Sequence, residues 1–243
     1  MMEKQTTRSE IQYAFKQSVP VMLGYAFLGI AFGLMLQNAG YHFIWAFAIS
    51  LFVYSGSMQF VLVTLLSGGA GLIYTAVMTF FINGRHIFYG ISLLERYKSM
   101  GKACPYMIFS LTDETYSLLC RTKVPSDLNE KSVTFWISFL DHCYWIAGSV
   151  IGALAGQFIT FNSTGIDFSM TALFTAIVVE QWQESKSHIP AVTGFLASLF
   201  FLMILGPDKF ILPSLALAVV ILLAAGNRLD EEKKREEENV HEY

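Results

Sequence analysis

The stretch Asn83-Gly84-Arg85-His86-Ile87-Phe88-Tyr89-Gly90 sets a carboxamide, a guanidinium, an imidazole and a phenol inside an otherwise apolar run from Gly71 to Leu94. No Asp, Glu, Lys or Arg occurs between Lys16 and Arg85, so this charge falls near the midpoint of a membrane-length segment. An arginine at the centre of a spanning helix costs roughly 2.5–3.5 kcal/mol on insertion scales, and such residues usually face a bundle interior, a polar cavity or a counter-charge. A purely structural ion pair would account for Arg85. So would recognition of an anion, because Arg85 and Tyr89 share a helix face from which a carboxylate can be bound.

Three further groups carry chemistry. Tyr54-Ser55-Gly56-Ser57-Met58-Gln59 interrupts the apolar run from His42 to Leu66. Small hydroxyl residues, a glycine and an amide at bilayer depth predict an unwound helix whose freed backbone groups line protein or a wet cavity, as in transporters that aim half-helix N-termini at anionic substrates. Serines bonded to their own backbone in a continuous helix are the alternative. Thr112-Asp113-Glu114-Thr115-Tyr116 places an acidic pair at the centre of a segment from Pro105 to Cys120. At about 1.5 Å per residue that segment spans roughly 24 Å, short of the ~30 Å hydrocarbon core, so it is tilted, re-entrant or interfacial. One of its carboxylates facing Arg85 would lower the cost of burying both; wet surface carboxylates are the other possibility. Asp141 and His142 lie within a further apolar span, where an isolated aspartate is a candidate proton carrier and the histidine reads as a hydrogen-bonded structural group.

The elements that must position these residues are membrane helices. Of 243 residues, 54% are hydrophobic and 14% charged, and mean hydropathy is +0.49; the expected fold is an all-α polytopic integral membrane protein of six to eight hydrophobic segments, some broken or re-entrant. A polar stretch 1–17 precedes a single transport domain over 18–226, with two halves joined by the polar connection 121–131; a charged tail follows over 227–243. Pro20 is expected in the first turn of the first apolar helix, where its missing donor costs nothing. Gly29 and Gly33, and Gly148, Gly152 and Gly156, form small-residue stripes for close helix packing, against each other or against a second subunit. The basic clusters near the N-terminus, at Arg96–Lys102, at Arg121–Lys131 and at Arg228–Arg235 should share the cytoplasm. Three full crossings before Arg96 would break that rule. It is met if His42–Leu66 and the Asp113 segment are re-entrant; seven or eight ordinary spans with a weak charge bias is the competing topology.

The net charge of -3 with no continuous basic patch argues against a nucleic-acid partner. The three cysteines, Cys104, Cys120 and Cys143, lack metal-like spacing, and neither cofactor nor metal is expected. No phosphate loop, zinc-ligand helix or nucleophile motif is present, so an ATPase or an intramembrane enzyme is disfavoured. A passive pore would use the same polar centre without a titrating carboxylate coupled to flux.

Tyr54 to Phe60, then Asn83 to Gly90, then Asp113-Glu114-Thr115 and Gly165-Ile166-Asp167-Phe168, taken in order, resemble the successive signatures of the AzlC family over nearly the whole chain. The most specific element is Asn-x-Arg-His-x-x-Tyr, here Asn83, Arg85, His86 and Tyr89. The resemblance implies a bacterial inner-membrane permease exporting valine, leucine, isoleucine and methionine, while the basic clusters put both termini in the cytoplasm. It also implies a small AzlD-type (YgaH-like) membrane subunit. Ser57 departs from the alanine common in relatives and makes the pocket more polar. An amino acid requires a cation or helix N-terminus for its carboxylate, acceptors for its ammonium, and an apolar wall. Arg85 or the amides around Ser55, Gly56 and Ser57 suit the carboxylate; Gln59, Asn83 or Asp113 suit the ammonium. His86 and Tyr89 complete the expected binding set, with Asp113, Glu114, Asp141 and His142 as proton-coupling or counter-charge groups for proton-driven export.

Overall fold

The computed structural model describes residues 2–158, with side chains from residue 8 onward, residues 187–206 and 213–222, and a few isolated positions from 171 to 224. The Asn162–Asp167 loop, the Gly165–Phe168 signature, Glu180, Pro207–Lys209 and the tail from Asn227 lie outside the described residues. Two units are distinguished, Met1–Leu173 and Phe174–Tyr243, and each is described by itself. Among the described residues every regular element is helical.

Among the described residues two helices are long and apolar enough to cross a membrane. Helix α1, Met2–Asn38, has 37 residues and α9, Glu130–Phe158, has 29, or about 55 Å and 43 Å at 1.5 Å per residue. Pro20 does not open the first helix. It stands inside α1, where its ring removes a donor and crowds the carbonyl of Lys16. Tertiary contacts hold the helix on its N-terminal side: buried Glu10 accepts from Asn129 N at 3.2 Å and Ser132 Oγ at 2.6 Å, Tyr13 Oη donates to Lys123 O at 2.8 Å, and Ser18 Oγ meets Tyr144 Oη at 3.1 Å.

Helices α1 and α9 touch through their glycines. A Cβ on Gly148 would lie 2.8 Å from Tyr25 O, and one on Gly29 3.0 Å from Ser149 N, while at Gly33 and Gly152 it would collide with the carbonyls of Ser149 and Ile30. Gly156 packs against the Gln37 side chain. The α9 stripe is therefore filled by the first helix of the same chain, which corrects the reading that offers it to a second subunit. Lipid gives helices no hydrophobic reason to associate, so this backbone approach replaces it.

Between these two rods the chain is broken three times. Helix α2, Phe43–Phe52, and α3, Gly56–Ser67, flank a break at Val53–Ser55 in which Tyr54 has φ of 39°. Helix α4, Leu72–Asn83, and α5, Arg85–Ser92, meet at Gly84, where Ile87 N bonds to Gly84 O and the helical register changes. Helix α6, Leu94–Lys98, and a 3₁₀ turn, Gly101–Ala103, lead to α7, Cys104–Phe109, and α8, Asp113–Arg121. The acidic pair thus opens α8 instead of lying mid-helix, and Thr112 caps it by accepting from Thr115 N at 3.3 Å. Ten and twelve residues make α2 and α3 about 15 Å and 18 Å long, half a membrane each.

One end of this unit collects the polar loops. Lys131 Nζ donates to Ser99 O at 2.6 Å, Arg96 pairs with Glu130 at 3.3 Å and donates to Leu119 O at 3.1 Å, and Glu10 and Tyr13 join them from α1. The segment 104–121 begins and ends at that same end, so α7 and α8 enter and leave on one side. Arg96 also returns to the end from which α1 started. An odd number of passages must therefore separate Asn38 from Arg96, and of α2–α3 and α4–α5 one crosses and the other turns back.

In the second unit, α10, Ile189–Leu205, opens with Pro190 in its first turn, where a missing donor costs nothing. Helix α11 spans Pro213–Leu222.

Candidate functional site

The three breaks bring together the N-termini of α3, α5 and α8. Ser55 Oγ donates to Asn83 Oδ1 at 2.7 Å, Arg85 Nη2 donates to Ser57 Oγ at 2.9 Å, and the same Nη2 pairs with Asp113 Oδ2 at 2.5 Å. Each contact ties one break to another. Counted from the polar end, Tyr25 lies about 18 Å along α1 from Tyr13, and Asp141 about 16 Å along α9 from Glu130. The cluster is therefore near the middle of a ~30 Å core.

The Arg85–Asp113 pair is joined at one nitrogen and one oxygen. Arg85 Nε and Asp113 Oδ1 are buried with no partner among the described residues, yet the side chains retain 24% and 29% exposure. A buried donor and a buried acceptor of opposite charge are thus left unpartnered in a pair whose side chains are otherwise partly exposed. The positive ends of α3 and α8 point into the same region, favouring anionic groups there. Tyr89 stacks on Tyr116 with centroids 4.5 Å apart, fixing α5 against α8 beside the pair, and His86 Nδ1 contacts Asn83 O at 3.1 Å.

Other expected residues occupy structural positions around this centre. Gln59 is fully buried: its Oε1 accepts from Ser55 N at 3.1 Å and Trp145 Nε1 at 2.9 Å, and its Nε2 donates to Ser50 Oγ at 3.4 Å. It closes the α2–α3 break in place of a backbone partner. A Cβ on Gly56 would meet the Trp145 ring at 3.6 Å, an ordinary van der Waals contact. His142 has partners at both ring nitrogens, Ser50 O at 3.2 Å from Nε2 and Tyr106 Oη at 3.2 Å from Nδ1. Since a carbonyl only accepts, Nε2 carries a hydrogen and donates to Ser50 O, while Nδ1 meets the Tyr106 hydroxyl, so both ring nitrogens are engaged by structural partners.

Glu114 and Asp141 form a second polar group behind the pair. Tyr25 Oη lies 2.9 Å from Glu114 Oε2 and 2.6 Å from Thr112 Oγ1; Thr112 and Thr115 hydroxyls are 3.1 Å apart, and Thr115 Oγ1 is 2.9 Å from Asp141 Oδ2. Sequence reasoning did not find Tyr25. The one available signal was a phenol in an apolar span whose hydroxyl needs a partner.

Residues 20–159 match the family model described as AzlC protein. The chain is 36% identical over 219 residues to the branched-chain amino acid transport protein AzlC of Bacillus subtilis, covering 88% of this chain and 86% of that one. It is 39% identical over 202 residues to an uncharacterized membrane protein of Haemophilus influenzae, covering 83% of each. It is 28% identical over 193 residues to the inner membrane protein YgaZ of Escherichia coli, covering 75% of this chain and 78% of that one. No solved structure matches.

Proposed function

This chain belongs to the AzlC family of membrane proteins, and from that premise we propose that it transports branched-chain amino acids outward across the bacterial inner membrane, driven by proton entry. The observation that carries the reading is the singly joined, partly exposed Arg85–Asp113 pair at the meeting point of three helix N-termini. A zwitterion inserts into such a pair. Its carboxylate takes the guanidinium fork, aided by the amides at Gly56 and Ser57, and its ammonium takes the Asp113 carboxylate. Valine, leucine, isoleucine and methionine all present this head group.

Insertion gives the coupling its sign. An ammonium needs Asp113 ionised, whereas a proton on Asp113 removes the acceptor, so proton and substrate exclude one another at this carboxylate. Mutually exclusive binding is what exchange of an inward proton for an outward substrate requires. Asn83 and Ser57 hold Arg85 in reach, and Gln59 holds the break from which the α3 amides point. A small AzlD-type subunit completes the transporter in this reading, the termini lie in the cytoplasm, and the chain performs no covalent chemistry.

The test is leucine uptake into inside-out vesicles containing this chain, with and without the small subunit, under an imposed pH gradient. Uptake that follows an acidic lumen and vanishes when the gradient is collapsed supports the reading. Flux down the leucine gradient alone, indifferent to pH, would make the protein a passive pore.

A further inference from the structure

The group behind the ion pair has a hydrogen count that does not close on its own. Four oxygen–oxygen contacts link Glu114, Tyr25, Thr112, Thr115 and Asp141 in series, at 2.9, 2.6, 3.1 and 2.9 Å. Each contact requires one hydrogen between its oxygens. The three hydroxyls supply one each, leaving the chain one short. In the structure Thr112 donates to Thr115 and Thr115 to Asp141, so Tyr25 must donate to Thr112 and Glu114 must bring the proton that reaches Tyr25. Turning the hydroxyls the other way, with Thr115 donating to Thr112, Thr112 to Tyr25 and Tyr25 to Glu114, requires the proton on Asp141 instead. The Thr115 amide also donates to Thr112 Oγ1 in either order, since the oxygen has two lone pairs.

We propose that Glu114 and Asp141 form one proton-binding site, holding a single proton that moves between them through Tyr25, Thr112 and Thr115. Moving it breaks the O–H bond at one carboxyl and forms one at the other, each hydroxyl releasing one proton and receiving one, so nothing is gained or lost. Asp141 is fully buried and its Oδ1 has no partner. Among the described residues neither carboxyl has a basic group within ion-pair distance. The other titratable groups facing the chain are Tyr54 at the α2–α3 break and Tyr106, Tyr144 and His142 on the Asp141 side, with Asp113, paired to Arg85, on the Glu114 side. Two carboxylates linked this way in a low-dielectric interior do not both ionise.

The site deepens the transport reading, and rests on it only for its consequence. Glu114 follows Asp113 in the first turn of α8, so the proton's position sets the charge beside the substrate's ammonium acceptor. A proton on Glu114 leaves Asp113 the nearer negative charge; a proton on Asp141 returns a second carboxylate to the α8 N-terminus.

Infrared difference spectroscopy of the full chain in lipid vesicles reads the count directly. Near neutral pH the wild type should show the carbonyl stretch of one protonated carboxyl per molecule. Glu114→Gln and Asp141→Asn should each abolish that band entirely, because either amide donates the missing hydrogen and leaves the opposite group a carboxylate. Survival of the band in either variant overturns the proposal, as does a wild-type amplitude of none or two. Tyr25→Phe keeps the ring and cuts the chain; adding Asp141→Asn to it should then leave the Glu114 signal unchanged, and a change would overturn the relay. The wild-type amplitude needs no mutant to fold. Leucine flux plays no part in this readout, so its outcome and that of the transport assay are separable.

Discussion

Arg85 holds Ser57 and Asp113 with one nitrogen, Nη2, and leaves its Nε unpartnered among the described residues. Arg85→Ala should lower leucine flux at least tenfold with insertion intact, since a hydrogen bond to a charged group contributes about 1.5–3 kcal/mol. Arg85→Lys should recover little of it, because an ammonium cannot hold Asp113, Ser57 and a substrate carboxylate in one plane. Normal flux in either well-inserted variant would remove Arg85 from the site. Gln59 makes the opposite case. Gln59→Leu should destabilise the protein by roughly 1–3 kcal/mol for each of the Ser55 and Trp145 donors it strands, read as a lower melting temperature in detergent. Arg85 and its need for a carboxylate from the Asp113-Glu114 pair were legible from sequence because a charge in an apolar run demands a partner; that the partner is Asp113 comes from the structure. Gln59 was not, because polarity at depth looks the same whether a side chain meets a ligand or caps its own backbone.

Helix breaks and crossings divide along similar lines. The Val53–Ser55 break was legible in its cluster of small hydroxyl residues, whereas Gly84 and Ser110–Thr112 read as continuous helix because a single glycine or a Ser-Leu-Thr run carries little local signal against apolar flanks. The stripe at Gly148 and Gly152 announced close packing without naming its partner; only the carbonyls of Tyr25 and Ile30 do that. Gly152→Leu should therefore lower the yield of folded chain, overpacking a backbone contact by about 1–3 kcal/mol or more. Copurification of a small subunit per surviving molecule should be unchanged, and its selective loss would return the stripe to the partner. Which broken segment turns back is a matter for labelling. If α2–α3 is the re-entrant one, Asn38→Cys and Ser67→Cys, at the ends of α1 and α3, react with an impermeant reagent from the same side. Opposite sides would assign the turn to α4–α5.

In the first unit the two long helices act as a frame, and the half-length pieces bring their ends to its middle. Polar loops that are far apart in sequence end up together: Glu10 on Asn129 and Ser132, Tyr13 on Lys123, Lys131 on Ser99, Arg96 on Glu130. Charge bias alone argued for this grouping, and that argument was ambiguous because such bias has exceptions; the contacts turn it into geometry. Membrane crossings can be counted from it. An end that gathers the start of α1, the loop 99–103 and the connection 121–131 must lie in one compartment, whatever path α2 to α5 takes. Lys98→Cys and Asp127→Cys, both exposed, should therefore be labelled from one face, and Asn38→Cys from the other. If basic loops follow the positive-inside rule, that first face is the cytoplasm. Labelling of Lys98→Cys and Asp127→Cys from different faces would require α7–α8 to cross, which would separate Thr112 from Tyr25 and Asp113 from Arg85 and dismantle the site along with the topology.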